Sequence, residues 1–236
     1  MTITNLVSYQ NGNTYVTIKS DGTKTREYEG VPVVNHPESI DVKITDYCDM
    51  GCKYCHESST KAGKHGNSEF LLNILSDLPK GVELAIGGGN PLSHPNLIWL
   101  LRGLKDRGFI CNLTVNQGHL KPNMELLVNL LRQDLVKGLG ISITNNNFIY
   151  VSQLMNHTSN IVFHIIAGVN SPTIVEDLLQ VNPDSKILLL GYKTFGFGIG
   201  YYDENVENSL KLWNWKLPQL VKKCTFSFDN LAIEQL

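Results

Sequence analysis

Apolar positions follow two regimes along the chain. Up to about residue 35 they alternate with polar ones at short range, as in Thr14-Tyr15-Val16-Thr17-Ile18, and the runs are separated by Asn11-Gly12 and Asp21-Gly22, dipeptides that supply the backbone of hairpin turns. Residues 1–35 are therefore expected to form a polar β meander, an N-terminal extension set apart from a main domain at 36–236. From Ile40 onward, short apolar runs of strand length alternate with stretches of helical periodicity, the pattern of repeated βα units.

Six such units can be counted. Strands are predicted at 40–45, 83–86, 109–115, 140–144, 160–167 and 186–191, with helices at 68–78, 95–107, 122–133, 148–155 and 171–180 between them, and a last helix at 205–215 and a strand at 224–228 after them. The second helix is the clearest: Leu97, Leu100, Leu101 and Leu104 recur at i, i+3, i+4 and i+7, with Pro95 ahead of them and Gly108 beyond. Strands separated by crossover helices imply a parallel sheet with helices outside. In strand three, Asn112, Thr114 and Asn116 share one face and Cys111, Leu113 and Val115 the other; in strand four Ser142 and Thr144 oppose Ile141 and Ile143; in strand five His164 lies on the face of Val162 and Ile166. A sheet buried on both faces would read as continuous Val, Ile and Leu. Polar residues recurring on one face instead predict a hydrophilic lumen, hence a partial (β/α)6 TIM-like barrel rather than an open sandwich.

Composition narrows the picture. At 236 residues, 42% apolar and 18% charged, the chain is ordinary globular material for one large domain. Its 20 basic residues against 22 acidic ones give a net charge of -2, too little positive field for general nucleic-acid binding. With no basic, apolar leader and no run of about 18 apolar residues, the expectation is a soluble, cytoplasmic protein with no membrane association.

Of the five cysteines, Cys48, Cys52 and Cys55 crowd into one short segment, while Cys111 and Cys224 stand alone. An odd, clustered set in a reducing compartment is not a disulfide framework. The segment Ile44-Thr45-Asp46-Tyr47-Cys48-Asp49-Met50-Gly51-Cys52-Lys53-Tyr54-Cys55-His56 leaves the C-terminal end of strand one, the edge where parallel α/β folds place their ligand sites. Three chemistries compete for it. Cys52-Lys53-Tyr54-Cys55-His56 satisfies the c-type haem pattern but leaves Cys48 without a role. Structural zinc could take the same cysteines with His56 or a distant residue, although a barrel of this size folds without a metal staple. An iron–sulfur cluster with three cysteine ligands would leave one iron of a [4Fe–4S] cube open.

The C-x3-C-x2-C spacing, with aromatic Tyr54 before the last cysteine, resembles the signature of the radical S-adenosylmethionine superfamily. The resemblance implies that Cys48, Cys52 and Cys55 hold a [4Fe–4S] cluster whose open iron takes the methionyl group of S-adenosylmethionine, with Tyr54 beside the adenine. A second segment, Gly87-Gly88-Gly89-Asn90-Pro91, is similar to the family's G-G-E-P motif, which holds the cofactor's amino group. Asn90 stands where Glu is usual; its carbonyl oxygen can accept from an ammonium, without charge assistance. Asn116, Ser142, His164 and Lys193 fall where lumen and strand-end residues would contact the carboxylate, ribose, adenine or substrate.

What the resemblance implies about activity is reductive cleavage of S-adenosylmethionine to a 5′-deoxyadenosyl radical that abstracts hydrogen from a peptide, nucleoside or small metabolite, fed by a flavodoxin- or ferredoxin-type reductant. The alternatives are a glycyl-radical-activating enzyme acting on a partner protein, and a non-catalytic iron–sulfur or zinc scaffold, which the Asn90 departure permits. Gly196-Phe197-Gly198-Ile199-Gly200 lacks a dinucleotide fingerprint and is expected to be a flexible loop or lid. The final residues, 229–236, read like the opening of a helix, either cut short or docking on a protein partner.

Overall fold

A computed structural model describes residues 3–236, so the first two residues of the expected extension lie outside the described residues. The extension forms a three-stranded antiparallel sheet, β1 (Asn5–Asn11), β2 (Thr14–Lys19) and β3 (Lys24–Glu27). Its two turns use Gly12 at φ 64° and Gly22 at φ 85°, a region that only glycine enters without strain.

Seven parallel strands follow: β4 (Ser39–Thr45), β5 (Glu83–Gly88), β6 (Ile110–Asn116), β7 (Gly138–Ser142), β8 (Ile161–Ile166), β9 (Lys186–Leu190) and β10 (Thr225–Phe228). Each pairs with its sequence neighbour, and β4 and β10 are the free edges. The barrel is partial, as expected, and the strand at 224–228 joins it as a seventh parallel member. The helices are α1 (Ser68–Ile74), α2 (Leu97–Asp106), α3 (Leu120–Arg132), α4 (Ile149–Met155), α5 (Thr173–Val181), α6 (Gly198–Tyr201), α7 (Glu204–Leu220) and α8 (Asn230–Gln235). In α2 the predicted leucine stripe is fully buried against the sheet, each side chain contributing about 1.5–3 kcal/mol. Leu113, Val115, Ile141 and Phe163 are buried in the same core, while Asn112, Thr114, Asn116, Ser142 and His164 alternate to the other, less buried face. That face is the lumen.

The meander packs under the N-terminal ends of the barrel strands. Val16 and Ile18 form a small apolar cluster with Ile110, the first residue of β6. Lys24 pairs with Glu83, the first residue of β5, and Lys186, the first of β9, donates to the Asp21 carbonyl. Gly22 lies against the Asn160 side chain just ahead of β8.

Three segments depart from the sequence expectation in ways that contacts in the structure account for. Strand four runs over Gly138–Ser142 rather than 140–144, because Gln117 Oε1 accepts the Thr144 and Asn145 N–H groups (2.9 and 3.1 Å) and its Nε2 donates to the Asn147 carbonyl (2.7 Å). The last long helix continues to Leu220 through Pro218, its N-terminus capped by Asp203 and Trp213 fully buried. The glycine-rich segment expected as a flexible loop instead makes the short helix α6, and Phe197 N–H donates to the Cys55 carbonyl at 3.0 Å. Among the described residues no helix is long and apolar enough to cross a membrane.

Candidate functional site

The chain leaves β4 at Thr45 and enters the cysteine loop, which is tied down by backbone bonds from Cys48 N–H to the Thr60 carbonyl (2.9 Å) and from Cys55 N–H to the Cys52 carbonyl (3.2 Å). Gly51, at φ 67° with open space where a Cβ would stand, makes the reversal between the first two cysteines. Cys48, Cys52 and Cys55 are free and partly buried. Burial raises the Cys48 thiol, and the neighbouring Cys52, Asp49 and Cys55 raise it further; burial likewise raises Cys52, against a hydrogen bond from the Tyr54 hydroxyl.

The donor set fits the three-cysteine cluster better than the other candidates. Cys111 is buried on the helix side of β6, its thiol pushed up to about 12 by burial, and Cys224 stands at the start of β10. Neither adds a fourth thiol to the loop. His56, the fourth donor of the zinc and haem readings, lines a pocket with Tyr54, Ile166, Leu190, Tyr192 and Lys193.

The Gly88-Gly89-Asn90-Pro91 turn is docked onto this loop. Gly89 N–H donates to the Thr45 carbonyl (2.8 Å) and Asn90 N–H to the Tyr47 carbonyl (2.6 Å). A Cβ on Gly89 would lie 2.2 Å from the Tyr47 carbonyl oxygen and 3.1 Å from Cys48 Cβ, so only glycine permits the approach. The two motifs read separately in the sequence are thus one structural unit. Within it, Asn90 is 3% exposed. Its Oδ1 accepts the Leu92 N–H (3.2 Å), closing the turn into the short 3-10 helix Pro91–Ser93, and its Nδ2 donates to Ser93 Oγ (2.9 Å) and Asp49 Oδ1 (3.1 Å). The carbonyl oxygen that the sequence reading offered to an ammonium therefore already serves the turn.

Asp49 Oδ1 also takes His119 Nε2 at 2.8 Å. Ligand atoms of Cys48, Asp49 and His119 all lie within 4.8 Å of one another. Partial burial raises the Asp49 carboxyl, but its own backbone, Asn90 and His119 together hold it below the usual range. Spacing in the sequence gives no hint of His119; Asp49 sits inside the cysteine motif and reads there as a spacer.

The remaining site residues are distributed around the mouth and lumen. Asn116 Oδ1 accepts the Gly118 N–H (2.9 Å) and caps the 3-10 turn Gln117–His119, so it fixes the backbone that carries His119. Ser142 lies in register between Asn116 and His164 on adjacent strands. His164 fills the space over Gly140, where a Cβ would come within 2.6 Å of its ring, and burial pushes its pKa down to about 4. Asn112 is not part of the mouth: its Nδ2 points to Glu83 Oε1 (3.4 Å), at the end closed by the meander. Tyr54 stacks edge-on against Tyr201, centroids 5.6 Å apart, and borders the pocket that also holds Lys193.

A family model described as the radical SAM superfamily matches residues 42–167. The chain is 26% identical over 122 residues to an AdoMet-dependent heme synthase of Methanosarcina barkeri, a match covering 50% of this chain and 34% of that protein. It is 28% identical over 142 residues to the tungsten-containing aldehyde ferredoxin oxidoreductase cofactor-modifying protein of Pyrococcus furiosus, covering 56% of this chain and 36% of the relative. In fold it is similar to Streptococcus suis SuiB bound to its precursor peptide SuiA, with TM-score 0.60, 14% identity, and coverage of 86% of this chain and 52% of SuiB. The chain thus spans about a third of the length of these curated relatives and about half of SuiB.

Proposed function

The chain belongs to the radical SAM superfamily, and from that premise we propose that it is an enzyme that holds a [4Fe–4S] cluster on Cys48, Cys52 and Cys55, cleaves S-adenosylmethionine reductively and directs the resulting radical at a C–H bond of a peptide substrate. When bound, the cluster and S-adenosylmethionine supply an electron and a carbon–sulfur bond to break, yielding methionine and a 5′-deoxyadenosyl radical. The protein's part is to bind, orient and exclude water.

The observation that carries this reading is the docking of Gly89 and Asn90 onto the backbone of Thr45 and Tyr47, which fixes the glycine turn beside the three cysteines. On this reading Tyr54 and Lys193 lie beside the adenine, while Asn116 and Ser142 face the methionyl carboxylate and ribose. His164, uncharged down to about pH 4, is a neutral hydrogen-bonding group of the lumen rather than a proton donor. A peptide is favoured as substrate by the exposed apolar side chains of Phe195, Phe197 and Ile199, which stand on a segment bonded to the cysteine loop, and by the likeness in fold to SuiB, solved with a precursor peptide. A low-potential one-electron donor of flavodoxin or ferredoxin type completes the system.

The test is anaerobic reconstitution with iron and sulfide, followed by S-adenosylmethionine and dithionite. Production of 5′-deoxyadenosine supports the reading. A verified cluster that yields none leaves the scaffold alternative standing.

A further inference from the structure

Resting on that reading, we propose that Asp49, rather than the residue in the G-G-x-P turn, is the carboxylate that receives the amino group of S-adenosylmethionine. The negative charge absent at position 90 is present one hydrogen bond away. Asn90 is buried, its Oδ1 is occupied by Leu92 N–H, and its Nδ2 is directed at Ser93 and Asp49. It is built into the site as a donor that holds a neighbouring carboxylate.

That carboxylate is fixed from two sides. Asn90 Nδ2 and His119 Nε2 both approach Oδ1, at 3.1 and 2.8 Å, so Oδ2 is free of side-chain hydrogen bonds among the described residues. His119 is itself immobilised: it is 3% exposed and rides on a turn capped by Asn116. Bonded to a carboxylate through Nε2–H, it leaves a buried Nδ1 without a partner, so the ring is retained at the expense of an unsatisfied atom. The Asp49 side chain is 45% exposed, immediately follows Cys48, and its carboxylate lies within 4.8 Å of the Cys48 ligand position. A carboxylate held at one oxygen and open at the other, at the rim of the loop that carries the cluster, has the geometry to accept a charge-assisted bond from an ammonium bound at the open iron.

The test compares S-adenosylmethionine with its analogue lacking the α-amino group, on anaerobically reconstituted full-length protein, by equilibrium dialysis and by the change in the electron paramagnetic resonance of the reduced cluster. In Asp49→Asn, iron and sulfide content should match the wild type, S-adenosylmethionine affinity should fall about tenfold or more, and affinity for the analogue should not change. Asn90→Glu in the Asp49→Asn background should restore most of the loss by returning the charge to the turn. The inference is overturned if Asp49→Asn binds S-adenosylmethionine within about twofold of wild type, if both ligands weaken equally, or if the variant loses iron, which would make Asp49 a support of the cluster instead. A wild-type protein with a full cluster and no affinity for S-adenosylmethionine would sink the functional reading itself, an outcome distinct from all of these.

Discussion

Gln235 clamps the backbone of Tyr192 with both ends of its amide: Oε1 accepts the Tyr192 N–H at 2.7 Å and Nε2 donates to the Tyr192 carbonyl at 2.9 Å. Asp229 Oδ1 accepts the neighbouring Gly191 N–H at 2.9 Å. The final helix and its N-cap therefore hold the end of β9, where the pocket lined by Tyr54 and Lys193 is formed. Gln235→Ala leaves two buried backbone groups at Tyr192 unpaired and should cost about 1–3 kcal/mol, read from the denaturant midpoint, together with a weaker grip on S-adenosylmethionine.

Gly89→Ala should separate the glycine turn from the cysteine loop. The added methyl meets the Tyr47 carbonyl at 2.2 Å, a backbone atom that cannot swing aside, and overpacking of this kind costs about 1–3 kcal/mol. Iron content after anaerobic reconstitution should drop while far-ultraviolet circular dichroism stays native. Gly51→Ala is the contrast: nothing lies within 4 Å of its Cβ position, so the cost is that of the positive φ alone, about 1 kcal/mol.

His164 should impose an acid limit on the fold. The unfolded chain protonates this ring below its ordinary value of 6.5, whereas the folded chain does so only near 4. Between those values the unfolded state binds more protons, so stability falls as pH falls, by up to about 3 kcal/mol. Denaturant titrations from pH 7 to pH 4 on wild type and His164→Gln should show a shallower decline in the variant; parallel curves would mean the ring is not buried neutral.

Asn170 joins three elements of the closing half of the barrel. It is 7% exposed; its Oδ1 accepts Ile166 N–H (2.9 Å), its Nδ2 donates to the Ile143 carbonyl (3.1 Å), and its own carbonyl accepts from Trp213 Nε1 (2.7 Å). Asn170→Ala strands two buried backbone groups and should destabilise by about 3 kcal/mol, whereas Trp213→Phe, which keeps most of the packing, should cost about 1–2 kcal/mol. Thermal or denaturant unfolding distinguishes the two.

The fold was legible where local chemistry decides it. The alternation in 110–116 placed Asn112, Thr114 and Asn116 on the lumen face correctly, and the leucine stripe of α2 faces the sheet as its period requires. Boundaries set at a distance were not legible: nothing near residue 144 announces that Gln117 will take its N–H, and nothing in 196–200 announces the bond from Phe197 to Cys55. The site divides the same way. Cysteine spacing and the glycine turn stand out in the linear chain, but Asn90 reads differently once Asp49 and His119 are seen around it, and those contacts span 41 and 70 residues of sequence. Asn112 shows the limit of face-based reasoning, since the correct face can still be the wrong end of the tube.

The N-terminal meander sits beneath the strands and gives the barrel two unlike ends. Val16 and Ile18 are seated under Ile110, and Lys24 and Asp21 are tied to the first residues of two strands, so the meander caps that end of the barrel. The cysteine loop leaves the opposite end, and the edges of β4 and β10 stay unpaired in the sheet. On the proposed reading, substrate, spent nucleoside and electron donor would all approach from the end opposite the meander, and the order in which they do so would become a kinetic property.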